Sequence, residues 1–149
     1  MMELNLINPE HTANGKMLYN DSHKFESAFL GVSIPKNNSV LLGNMSGTQL
    51  GIWVAHGEGK FSLPLAEEAY NIVLKYTYEA YPGTPNGSDY SVAGLCSADG
   101  RHLAMMPHLE RSIFTWQNAY YPADKLNDDA TPWLQAFVNA RNWVAAHQK

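Results

Sequence analysis

Leu103-Ala104-Met105-Met106-Pro107-His108-Leu109-Glu110-Arg111 reads as an apolar strand that runs into a proline and then offers a histidine and a carboxylate. The strand's end fixes where the imidazole sits. A carboxylate just past it can accept a hydrogen bond from one ring nitrogen and leave the other to move protons. This is the base-and-orienter half of a nucleophilic triad. The spacing alone is weak, because a histidine at a strand end often serves structure only.

Working outward, Ser91–Ser97 and Arg101–Met106 flank Asp99-Gly100, a strong hairpin signal. A two-residue turn there sets Ala98 opposite Arg101, Cys96 opposite Leu103 and Ser91 opposite His108. Alternation from Lys24 to Ile34 suggests a strand, and Gln49 to Ala55 a buried one. Ser39 to Met45 is too short to assign. Helical spacing at Leu65, Ala69, Ile72 and Val73 predicts a helix over 64–73, and Leu74 to Tyr81 turns β-rich. Met1 to Ile7 reads as a helix end stopped by Asn8-Pro9. Thr131-Pro132 forms a cap and first turn for a helix with Trp133, Leu134, Phe137, Val138, Arg141 and Val144 on its spacing. Mixed strands and helices with no linker or repeat imply one α/β domain over residues 1–149.

Composition narrows the class. The 149 residues are 45% hydrophobic and 16% charged, which predicts a globular chain. A net charge of −4 and no Lys/Arg cluster argue against nucleic acid. No long uncharged apolar run suggests a membrane span, and Met1-Met2-Glu3-Leu4 lacks the pattern of a secretory signal. One cysteine cannot form an internal disulfide, so the expected setting is reducing and cytoplasmic.

The His-x-Glu segment resembles that of the class I glutamine amidotransferases, in which it follows a hydrophobic strand and a proline. Pro107-His108-Leu109-Glu110-Arg111 is most similar to the Pro-His-Pro-Glu-Arg form of the phosphoribosylformylglycinamidine synthase family. Leu109 stands where that family has proline. His56-Gly57-Glu58-Gly59-Lys60 resembles the family's His-Gly-Glu-Gly-Arg, and Pro85-Asn86-Gly87-Ser88 its Pro-Asn-Gly-Ser loop. The segments from Trp116 to Pro122, Pro132-Trp133 and Phe137 to Arg141 resemble the carboxyl end of the large single-chain form. The matches run in order over nearly the whole chain.

The resemblance implies a class I amidotransferase-like fold, flavodoxin-like and mostly parallel, with the hairpin as an antiparallel addition. It implies catalytic roles for His108 and Glu110, glutamine as substrate, and a partner synthetase portion that uses ATP and magnesium in purine biosynthesis. No cofactor or metal is expected in this chain. By the same alignment the nucleophilic cysteine elbow lies upstream of Met1. The chain is then the carboxyl-terminal part of the glutaminase domain, incomplete on its amino-terminal side, inactive alone and prone to self-association.

Cys96 does not replace that nucleophile. In the hairpin register it lies five residues along the strand from His108, ~16 Å at ~3.3 Å per residue, whereas a thiol and its base need roughly 3 Å. A metal site built from His56, Glu58, His108 and Glu110 lacks the cysteine pairs of the zinc deaminases. For His56-Gly57-Glu58-Gly59 a tight turn and a ligand contact both stand. His11, His23, His102 and His147 read as solvated, and Trp116, Tyr120 and Tyr121 as packing or a covered surface. Two other classes stay open: a catalytically dead binding or regulatory module, and a hydrolase using Cys96 or Ser91.

Overall fold

The computed structural model describes residues 1–148. Seven strands form two sheets: β1 (Lys16–Leu18), β2 (Glu26–Ser33), β3 (Gln49–His56), β4 (Lys60–Ser62), β5 (Ile72–Tyr76), β6 (Val92–Cys96) and β7 (Leu103–Met105). β1 pairs with β4, and the main sheet has the order β3-β2-β5-β6-β7. Every pairing between these strands is antiparallel. The parallel sheet that resemblance implied is not among the described strands. Parallel neighbours need a crossover of a dozen or more residues, usually a helix, and no α-helix lies between any two of these strands.

Two apolar clusters hold the sheet. Val32, Ile34, Ile52, Val54, Val73 and Cys96 pack in one, with Trp133 and Ala136; Met2, Ile7, Phe61, Leu63, Ile72 and Leu95 pack in the other. β6 belongs to both. Val92 and Leu95 face one cluster, Ala93 and Cys96 the other, which is why this strand reads as an unbroken apolar run.

The β6–β7 hairpin has the register counted from its turn, with Gly94 opposite Met105, Leu95 opposite Ala104 and Cys96 opposite Leu103. Gly100 takes φ +77, and its N–H donates to the Ser97 carbonyl at 2.9 Å. The register does not continue to Ser91 and His108. Past Pro107 the chain leaves β6, and His108 makes an isolated bridge to Trp53 of β3, its N–H donating to the Trp53 carbonyl at 2.8 Å. Proline has no N–H to extend the ladder. β3 and β7 are opposite edges of the sheet, so this bridge ties the segment that follows one edge strand to the other.

Two expected helices are absent. Residues 1–7 form turns that seat Met2 and Ile7 in the core. Over 64–73 only a 3₁₀ turn, Glu67–Ala69, forms, and the β-branched Ile72 and Val73 open β5 instead. The carboxyl-terminal helix is present as α1 (Leu134–His147). The Thr131 hydroxyl oxygen accepts from the Trp133 N–H at 3.3 Å, as a residue just ahead of a helix should. Of the predicted apolar positions only Trp133 is buried; Leu134, Phe137, Val138 and Val144 are exposed.

Candidate functional site

His108 hangs from β3 rather than from its own hairpin. Besides the backbone bridge, the Trp53 indole N–H donates to the Gln117 carbonyl at 2.7 Å, and the Trp53 N–H reaches the Ser112 hydroxyl at 3.4 Å. Gln117 holds the loop in turn, its amide oxygen accepting from the Phe114 N–H at 2.9 Å. Phe29 braces the Trp53 ring edge-on with centroids 5.3 Å apart. Segment 108–117 is thereby pinned at both ends to one residue. Nothing in the sequence beyond an apolar strand position marked Trp53 for this task.

The 3₁₀ turn Leu109–Arg111 buries Leu109 and folds Glu110 back over the imidazole. His108 Nδ1 and Glu110 Oε1 are 2.8 Å apart, with the His108 side chain 29% exposed. Partial burial pushes the Glu110 carboxyl up. Its backbone N–H, the His108 ring and Arg111 more than offset this and hold it below its ordinary value. A carboxylate accepting from Nδ1–H leaves Nε2 free to exchange protons. The pair that resemblance pointed to is therefore assembled.

The alternative nucleophiles are not. Cys96 is fully buried. Burial pushes its thiol up, against hydrogen bonds from Ser39 and Ser97. A buried, protonated thiol is a packing residue. Ser91 is buried at φ +55 in the turn before β6 and does not face His108 across the hairpin.

The two remaining signature segments meet each other through Asn20, which sequence reasoning passed over. Asn20 is fully buried. Its amide N–H groups donate to the carbonyls of His56 (2.7 Å) and Lys24 (2.9 Å). Its oxygen accepts from the Gly59 N–H at 3.0 Å and lies 3.1 Å from His56 Nδ1. Asn86 joins from the other side, donating to the Gly59 carbonyl at 2.7 Å. Gly87 sits at φ +75 with the Asp21 carboxylate where a Cβ would stand, a position that requires glycine. Burial pushes His56 down, more strongly than its backbone hydrogen bond and the Glu26 carboxylate push it up; His108 adds to the lowering.

One minor expectation is corrected here. His11 is not solvated: its ring packs edge-on against Tyr70 at 5.1 Å, and its side chain is 9% exposed. Among the described residues no group of three or more His, Cys, Asp and Glu side chains is placed to hold a metal ion.

Comparison with known proteins shows the family. The family described as the CobB/CobQ-like glutamine amidotransferase domain matches residues 1–144. The chain is 40% identical over 147 residues to the probable phosphoribosylformylglycinamidine synthase, chloroplastic/mitochondrial, of Arabidopsis thaliana, covering 89% of this chain and 10% of that protein. It is 42% identical over 138 residues to the Homo sapiens phosphoribosylformylglycinamidine synthase, covering 85% of this chain and 10% of that protein. The chain thus spans about a tenth of the length of the curated relatives it matches. Among solved structures, PurLQS from Thermotoga maritima matches with a TM-score of 0.64 at 24% identity, over 89% of this chain and 54% of that one, a likeness of fold alone. With an assembled His108–Glu110 pair on this fold, the chain belongs to the CobB/CobQ-like glutamine amidotransferase domain family.

Proposed function

We propose that residues 1–149 are part of the glutamine-hydrolysing domain of a phosphoribosylformylglycinamidine synthase and supply its proton-transfer pair. The observation that carries this is the 2.8 Å contact between His108 and Glu110. It stands in a chain about two-fifths identical to such synthases.

In this reading a cysteine thiolate attacks the side-chain amide carbon of glutamine. His108 protonates the departing ammonia as the γ-glutamyl thioester forms, then takes a proton from the water that hydrolyses the thioester. Glu110 holds Nδ1–H and steadies the imidazolium. Ammonia passes to a synthetase portion that uses ATP and magnesium to convert formylglycinamide ribonucleotide to the amidine in de novo purine biosynthesis. The compartment of this reading is the cytoplasm. No helix among the described residues is long and apolar enough to cross a membrane.

The attacking thiol is not Cys96, the one cysteine of the sequence, because it is buried and protonated. The 149 residues by themselves are therefore catalytically silent. The test measures ammonia release from glutamine by this chain alone and by a synthase that contains it. Silence alone, with activity in the synthase, is the expected result. Glutamine hydrolysis by the isolated chain that disappears in Cys96→Ser would overturn the reading.

A further inference from the structure

His56 belongs to a signature segment, is 5% exposed, and has no part in the proton transfer proposed above. Its protonation pattern is set by Asn20. Both Asn20 N–H groups are committed to carbonyl oxygens, which fixes the orientation of the amide and leaves only its oxygen to face the ring. His56 Nδ1 must then be the donor, so in the neutral ring it is Nε2 that carries the lone pair. That Nε2 is buried and has no hydrogen-bond partner among the described residues. A proton there would need an acceptor.

Three elements face this ring. From β2 comes Glu26, directly opposite His56 in the ladder, with its Oε1 also buried and unpartnered. From the turn comes Gly59, whose backbone lies so close that a Cβ would overlap the imidazole. From the segment after β7 comes the charge of His108. His56 also closes β3, the strand whose Trp53 carries His108 three residues earlier.

We propose that His56 is a positioning residue for the His108–Glu110 pair: as the neutral Nδ1–H form it locks the end of β3 to Asn20 and Gly59, and it stays uncharged while His108 takes up a proton. The inference rests on the reading of His108 as proton carrier. Burial lowers the affinity of His56 for a proton in the direction the role requires, and Glu26 opposes it without prevailing. A second imidazolium beside His108 would raise the cost of charging the catalytic ring.

The two parts of the role separate by substitution. Asparagine places an N–H near the position of Nδ1 and cannot titrate; leucine fills space and donates nothing. In the intact glutaminase, His56→Leu should lower kcat about tenfold or more with KM changed less than about threefold, and His56→Asn should restore most of the loss. Independently of activity, carbethoxylation of each histidine, mapped by mass spectrometry against pH, reads the titration of His108. In His56→Asn its midpoint should match the unsubstituted protein, because a neutral ring contributes no charge to remove. Should His56→Leu fail to fold, the asparagine variant and this midpoint decide alone. Turnover in His56→Asn as low as in His56→Leu would overturn the hydrogen-bond lock. A higher His108 midpoint in His56→Asn would overturn the neutral state. His108→Ala, assayed beside them, fails on different grounds: full activity there would remove the underlying reading rather than the role of His56.

Discussion

The chain contains the same His-x-Glu spacing twice, at His56-Gly57-Glu58 and at His108-Leu109-Glu110, and the two do opposite things. At 108–110 a 3₁₀ turn anchored by buried Leu109 brings the carboxylate 2.8 Å from Nδ1. At 56–58 the strand simply ends. Glu58 is exposed, and Nδ1 turns to a buried amide instead. The residue after the histidine decides the chemistry: a leucine that plugs into the core folds the acid back, whereas a glycine lets the chain turn away. One imidazole is left partly open to solvent, the other sealed inside the fold.

The sharpest way to break this contrast is by rate. In an active protein carrying this chain, His108→Ala should lower glutamine turnover by about 10³-fold or more, since the proposed reaction routes both proton transfers through its imidazole. Glu110→Gln should cost less, about 10²-fold, by offering an amide where Nδ1–H needs an acceptor. Steady-state assays of both variants check this. Equal losses, or none, would mean that the 2.8 Å contact is not the working arrangement.

Next in size is a packing effect at the other histidine. Gly59→Ala places a methyl group against the His56 ring with no room for it. Overpacking of this kind costs about 1–3 kcal/mol, measurable as a fall in the urea midpoint. An unchanged midpoint would show that the ring can yield, and the Asn20 lock would lose its rigidity.

How much of this was legible in the sequence depends on the range of the interactions. The hairpin register was, because a turn dipeptide is a local signal, and pairing counted outward from it sets Cys96 opposite Leu103. The His108–Glu110 pair was, because its partners are two residues apart. The Trp53 anchor was not: it pairs residues 55 positions apart, across opposite edges of the sheet, and no local pattern marks it. Asn20 was invisible for the same reason, being one polar residue in a polar stretch that folding buries 36 positions from its partner. The missed strand at β5 has a different cause. Leu65, Ala69, Ile72 and Val73 satisfy helical spacing by count, but β-branched residues entering a sheet buried on both faces override it.

The pH dependence of stability sharpens the contrast from a third side. His56 has its folded proton affinity lowered from the ordinary 6.5, chiefly by burial. Below that value the unfolded chain binds a proton that the folded chain refuses, so stability should decline as pH falls from neutral. Glu110 acts in the same direction at lower pH: its folded carboxyl is held below the unfolded value, and its contribution fades as pH falls through that lowered range. Urea midpoints taken from about pH 7 to about pH 5 should drop in the unsubstituted chain and drop less in His56→Asn. A flat profile in both would mean that His56 is charged or exposed in the folded state.

The smallest effect is the most discriminating, because it tests the silent half of the comparison. Glu58 has the sequence position of Glu110 but makes no hydrogen bond or ion pair among the described residues. The turn around it is held by others: Asn20 N–H donates to the Gly57 carbonyl at 2.9 Å, Gly59 N–H to Asn20, and Asn86 to the Gly59 carbonyl. Removing the charge of an exposed side chain outside such a network changes stability by less than about 0.5 kcal/mol. Glu58→Gln should therefore leave the urea midpoint where it is. A clear loss of stability would mean that Glu58 secures the turn. An unchanged midpoint joined to a loss of glutamine turnover would instead identify the turn as a ligand contact, with the buried Asn20 network as the frame that presents its carboxylate.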